Sequence, residues 1–359
     1  HRAGQGQPHL HLGSERPLMA PSSAPTAGGA AAAGVDDLVA ERRARGRLDE
    51  VLTSRQMVFV TGKGGVGKSV VAAALALRAR ALGLRPVLFE CDAPARLSLL
   101  PQGRPMGDEL AEVAPGILGI NQGSDDAIRD YAASTLPSKT LADLLFENRV
   151  ARAFLKASPS VTEMGLIGRI ALIADKHGAD GPVIVDLHAT GHAVNLVRAP
   201  AGIMRVLQKG GGVLYDRAQR IEQMLQDDAR TAFVTVAVPE ELPVTELLEL
   251  HDKLVDLKAP LGPVVLNAWV EGAAVEGIDD AALQGLLGHG ATAAAARDLR
   301  FLRAQVRRCR REKERLVDAL RRRHGEAVVV TLPSRLDRSD ELLAQRLAEE
   351  LARKLEVPR

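Results

Sequence analysis

The sequence predicts an α/β fold, a mostly parallel central sheet flanked by helices, and three observations predict it. Short β-branched runs alternate with long amphipathic stretches, the pattern of stacked βα units. Most of those runs are continuously apolar, as strands covered by helices on both faces are. The first of them breaks into glycines and then an alanine-rich helix, FVTGKGGVGKSVVAA at residues 59–73.

Taken in order, residues 1–34 are rich in Gly, Pro, Ser and Ala and predict a disordered tail, with too few large apolar side chains to repay ordering. Residues 1–18, ahead of Met19, are read as upstream sequence foreign to the chain. A helical lead-in at 35–55 precedes one domain at 56–359. Strands are expected at 57–61, 86–90, 183–187, 231–238, 263–268 and 327–332. The helix at 69–82 is dense in Ala and Leu and closed by Gly83. No strand is expected in 107–181, where apolar residues recur at helical spacing and predict a helical insertion. Its apolar face, Leu141, Leu144, Leu145, Val150, Phe154 and Leu155, either packs on the domain or offers a client-binding surface. Residues 298–323 predict a long helix whose arginines are interleaved with Glu312, Glu314 and Asp318, a solvated helix laced by i,i+4 pairs. A last helix at 340–355 carries a leucine stripe expected to dock on the core, with a peripheral membrane anchor as the alternative.

Composition narrows the function classes. With 359 residues and 46% hydrophobic content the chain can bury a large core. Lys+Arg 47 against Asp+Glu 45 leaves a formal charge of +2, so no overall field draws it onto nucleic acid, and 3% aromatics leave few side chains for base stacking. Cys91 and Cys309 form neither a disulfide framework nor a CxxC pair, which fits a reducing cytoplasm. No apolar run approaches the roughly 20 residues that span a bilayer.

Gly62 to Ser69, GKGGVGKS, satisfies G-x-x-x-x-G-K-[ST] between a strand and a helix, the context that makes it a phosphate cradle. Gly62, Gly64, Gly65 and Gly67 let backbone N–H groups around Val66 wrap a phosphate, and the helix through Val70 adds its positive end. Lys68 neutralises the β and γ phosphates and the Ser69 hydroxyl can ligate Mg²⁺. Asp186, at the end of the 183–187 strand, either holds a Mg²⁺ water or caps a helix, and Gly191 after it permits a mobile sensor loop. Lys63 is not needed to hold a phosphate.

The doubled lysine resembles the deviant Walker A family, which includes MinD, ParA, the nitrogenase iron protein and the arsenite-pump and tail-anchored-protein-targeting ATPases. The resemblance implies a P-loop NTPase fold, ATP and Mg²⁺ as ligands, and a homodimer in which Lys63 crosses to the partner's nucleotide. VIVDLHATGHAV is similar to the DTAPTGH switch of the arsenite-pump and targeting subgroup at Asp186, Thr190, Gly191 and His192. That setting argues against His188 and His192 as metal ligands. In the same subgroup the asparagine after GPVVL reads adenine, which implies Asn267, and Pro333 looks like the other wall of the base pocket. ECDAPARLSLLP stands where the subgroup has DPAHNLSD, so Asp92 takes the first acid and Leu99 replaces the aspartate that positions water. Slow hydrolysis is therefore expected unless Asp92 or Asp108 substitutes. The implied function is a cytoplasmic ATPase that couples ATP-Mg²⁺ binding to a change of shape and to an unknown client, for which a membrane-protein segment is one candidate. A ParA- or MinD-like positioning switch and a hydrolysis-poor ATP-binding regulator are the alternatives.

Overall fold

Met57–Gly62 (β1), MVFVTG, is buried along its whole length and forms the centre of the fold. Successive side chains of a strand face opposite sides, so Met57 and Phe59 enter one core layer and Val58 and Val60 the other. The computed structural model describes residues 28–91, 99–135, 159–187, 190–207, 212–272, 293–334 and 340–353. The remaining strands are Val87–Cys91 (β2), Ala111–Ala114 (β3), Ile117–Gln122 (β4), Val183–Asp186 (β5), Thr231–Ala237 (β6), Leu261–Trp269 (β7) and Val329–Pro333 (β8). They form one 8-stranded sheet in the order β3-β4-β2-β5-β1-β6-β7-β8. Only β3 runs antiparallel.

The helices are Gly28–Ser54 (α1), Lys68–Ala81 (α2), Ser124–Thr135 (α3), Pro159–His177 (α4), Thr190–Leu207 (α5), Val213–Gln226 (α6), Glu241–Asp256 (α7), Ala293–His324 (α8) and Asp340–Ala352 (α9). One apolar layer joins α1, α2 and α9 to the sheet through residues such as Leu48, Leu75 and Leu347. The opposite layer joins α3 to α7, with Ile170, Leu196 and Leu250 among its members and Phe59 stacked on Phe233 at 4.8 Å between centroids. A third cluster seats α8 on α7 and β7 through Leu316, Leu320 and Val264. This is the doubly covered α/β sheet expected from the continuously apolar strands.

Three expectations change. Residues 107–181 are not a helical insertion from end to end, because β3 and β4 lie within them and extend the sheet. Both are short and Gly119 interrupts the apolar run of β4, while the Pro115-Gly116 turn between them, with Gly116 at φ 73°, was their available signal. Nor is α4 an insertion. Leu166, Ile167, Ile170 and Ile173 bury it on the sheet as an ordinary layer helix leading into β5. The lead-in helix begins at Gly28, inside the segment read as a tail, since its alanine run favours helix. The apolar face from Leu141 to Leu155 lies outside the described residues.

The long arginine-rich helix forms, and several of its ties run to α7. Arg315 donates to the Glu241 carbonyl at 2.7 Å and to the Thr245 hydroxyl at 3.1 Å, and Arg323 pairs with Asp252 at 2.5 Å. Within α8, Arg315 reaches Glu312 at 2.8 Å, an i,i+3 pair. Cys309, within α8, and Cys91, at the end of β2, are both buried, and they are not joined in a disulfide.

Candidate functional site

The carboxyl ends of β1, β5, β6 and β7 meet at the glycine loop, the end of a parallel sheet where α/β proteins bind ligands. Gly62 closes β1 with φ 154°, and a Cβ there would overlap the carbonyl oxygen of Val236 in β6. Gly67 has φ 89° in the left-handed region and is the N-cap of α2. No side chain caps that helix and its own first turn holds no acid, so its opening N–H groups are left to the loop. Val66 is buried and pins the loop to the core, whereas Gly64 and Gly65 stand exposed at its tip. The result is a concave run of backbone donors that suits a polyphosphate.

Lys68 folds back over this loop and donates from Nζ to the Lys63 carbonyl at 3.0 Å. Burial lowers its pKa from the ordinary lysine value, and the charge of Asp186 works against that shift. Asp186 ends β5 in register with Val60 on one side and Glu90 on the other. The structure therefore brings Lys68 and Asp186, 118 positions apart by their numbers, into one electrostatic site. Ser69 and Val70 lie half-buried in the first turn of α2. Lys68, Ser69 and Asp186 offer an ammonium, a hydroxyl and a carboxylate around the cradle, a donor set that fits a Mg²⁺-polyphosphate.

Asn267 also reaches the loop. Its Nδ2 donates to the Val66 carbonyl at 2.9 Å. Ala268, just beyond it, has φ 55°, and the β7–β8 register shifts between Leu266 and Trp269. That irregular strand end, with no marker in the sequence, sets where Asn267 stands. Pro333 is buried at the end of β8, one strand further out, and the next amide, Ser334 N–H, donates to the Trp269 carbonyl at 2.7 Å.

Lys63 is engaged within its own chain. Its Nζ pairs with Glu246 Oε1 of α7 at 2.8 Å within the same chain. Leu99 is 6% exposed and belongs to the core layer that includes α2, so its side chain packs rather than facing a reacting water. Asp92 lies outside the described residues, as does His188. Asp108 is exposed, and its neighbour Gly107 accepts from the Asn121 amide at 2.7 Å at the end of β4. Since β2 and β5 separate β4 from β1, three strand spacings put that strand end about 14 Å from β1. Asp108 is thus poorly placed to stand in for the missing acid. His192 Nδ1 contacts buried Glu163 at 2.8 Å, a structural tie between α5 and α4. Gly191 at the start of α5 is exposed and has room for a side chain. Among the described residues, no cluster of three His, Cys, Asp or Glu could hold a metal, and no helix is long and apolar enough to cross a membrane.

A glycine cradle on a strand-loop-helix unit of a parallel sheet, with a half-buried lysine and a strand-end aspartate, defines a P-loop nucleotide-binding protein. Residues 55–214 match the family described as anion-transporting ATPase, ArsA type. The chain is 25% identical over 232 residues to ATPase BagA of Mycobacterium tuberculosis, covering 60% of this chain and 66% of that one. It is 27% identical over 198 residues to an arsenical pump-driving ATPase of Escherichia coli, covering 55% and 32% respectively. It is 23% identical over 328 residues to ATPase ARSA1 of Chlamydomonas reinhardtii, covering 75% and 42%. The chain thus spans just under two thirds of the mycobacterial relative and about a third of the bacterial pump ATPase.

Proposed function

We propose that the chain is a cytoplasmic, Mg²⁺-dependent ATPase that works as a homodimer and uses the nucleotide to change the binding of a client or partner protein. The observation that carries this reading is Lys68, half-buried over a glycine loop at an uncapped helix N-terminus and within the field of Asp186. Names of relatives that include ATPase and arsenical pump-driving ATPase support the same class.

In this reading Gly62, Gly64, Gly65, Val66 and Gly67 surround the phosphates and Lys68 moves from the Lys63 carbonyl onto them. Ser69 and, through a water, Asp186 would hold a Mg²⁺ ion, which would offset phosphate charge. Asn267 braces the loop through Val66 and offers its remaining amide groups to the base, with Pro333 as the outer wall. Asp92 retains the first acidic position of the switch. Lys63 acts on the partner's nucleotide, where an added positive charge stabilises the transition state.

The burial of Leu99 supports a second reading, an ATP-binding regulator with little turnover, because a packed leucine can neither orient nor deprotonate water. Both readings require ATP-Mg²⁺ to bind and to alter assembly. Sedimentation velocity of the wild type and of Lys68→Ala, with and without ATP-Mg²⁺, tests this. A nucleotide-dependent dimer that Lys68→Ala loses is expected; identical behaviour of the two proteins contradicts it.

A further inference from the structure

We infer that Glu246 is a positioning residue for Lys63: it holds the second lysine of the phosphate loop within its own chain, and the pair must open before that lysine can serve a nucleotide across a dimer. This rests on the proposed role of Lys63 in the partner's site.

Lys63 is fixed at both ends. Its carbonyl accepts from Lys68 Nζ at 3.0 Å, and its own ammonium sits 2.8 Å from Glu246 Oε1. Glu246 is not on a loose segment. The neighbouring Thr245 hydroxyl and the Glu241 carbonyl accept from Arg315 of α8, and Glu240, ahead of α7, faces Arg308 at 3.4 Å. The start of α7 is therefore anchored to α8 while Glu246 is presented to the phosphate loop. A carboxylate on an anchored helix gives the flexible lysine a defined direction.

The strength of the pair suits a contact that opens. Lys63 and Glu246 side chains are 34% and 32% exposed. Ion pairs this accessible contribute little and are screened by salt. A polyphosphate brought close by a second subunit presents several negative charges and outcompetes one carboxylate. Until then Lys63 is directed toward α7 and away from the loop interior, where Lys68 already serves. Glu246 thus sets a threshold for assembly, and the connection through Thr245 to Arg315 gives α8 a reason to respond when Lys63 leaves.

Glu246→Gln keeps the shape of the side chain and removes its charge. Four full-length proteins, wild type, Glu246→Gln, Lys63→Ala and the double variant, are compared by sedimentation velocity in ATP-Mg²⁺, with steady-state turnover alongside. Glu246→Gln should tighten the ATP-dependent dimer about threefold to fivefold, the scale of a partly exposed ion pair. The double variant should match Lys63→Ala. An unchanged dimer constant in Glu246→Gln, or the same tightening in the Lys63→Ala background, overturns the role of Glu246 while leaving the ATPase reading intact. If Lys63→Ala assembles and turns over as the wild type does, or the wild type does not assemble at all, the role of Lys63 falls and the inference with it.

Discussion

Asn267 donates from Nδ2 to the carbonyl of Val66 at 2.9 Å, so the end of β7 is tied to the middle of the phosphate loop. The bond spans 201 positions and has two consequences. It holds the loop open at its buried side, and it orients the one strand-end amide proposed to read the base.

Replacing that donor should therefore disturb binding before it disturbs folding. Asn267→Asp sets a carboxylate oxygen against the Val66 carbonyl and is expected to weaken ATP affinity about tenfold, the cost of one lost hydrogen bond and an unsatisfied acceptor. Isothermal titration with ATP-Mg²⁺ measures it. An unchanged affinity would mean that the loop holds its shape without Asn267.

Gly62 is expected to tolerate no side chain. A Cβ would overlap the Val236 carbonyl oxygen at a positive φ, and backbone strain and overlap together cost about 2–4 kcal/mol. Urea unfolding of Gly62→Ala should show that loss, whereas Gly64→Ala, with open space at its Cβ and no positive φ, should stay near the wild type. Equal midpoints for both variants would contradict this account of the loop.

Leu99 was legible in the sequence as a departure from an acidic switch but not as a core residue. Because it is 6% exposed, Leu99→Asp buries a carboxylate and should destabilise the fold by about 3 kcal/mol or more instead of restoring turnover. Thermal unfolding of the variant checks this. A stable variant with faster hydrolysis would show that residue 99 can swing into the site.

His251 supplies a pH dependence unconnected with the nucleotide. Its Nε2 lies 2.7 Å from the Thr235 hydroxyl, its ring is 5.8 Å from that of His324, and burial, followed by the charge of His324, pushes its pKa down to about 4. The unfolded chain takes up this proton first, so the contribution is fully present above the ordinary histidine value of about 6.5 and is lost as pH falls toward 4. Relative to His251→Gln, the wild type should lose about 3 kcal/mol between pH 7 and pH 4 in urea unfolding, with parallel profiles as the contrary result.

The parts of this fold visible in the sequence were those set by local pattern. Continuously apolar runs gave six of the sheet's strands, and GKGGVGKS gave the cradle because the strand before it and the helix after it were both readable. β3 and β4 were missed since a four-residue edge strand and a strand holding Gly119 carry too little periodicity to stand out from helical neighbours. Glu246 was missed for a different reason. It lies 183 positions from Lys63, in a helix whose acids look like ordinary surface residues, and only the packing of α7 against the sheet and α8 brings it to the loop. The same limit applies to Asn267, whose bond to Val66 depends on the irregular end of β7.

The central claim is that Lys68 and Asp186 form the reactive end of an ATP site. Steady-state ATP hydrolysis with Mg²⁺ by the purified wild type, beside Lys68→Ala, tests it most directly. Turnover that falls about 100-fold or more in the variant is the expected result, the scale of losing a charge-stabilising donor in a transition state. Equal turnover in the two proteins would contradict the account, because the lysine placed over the cradle would then have no part in the reaction.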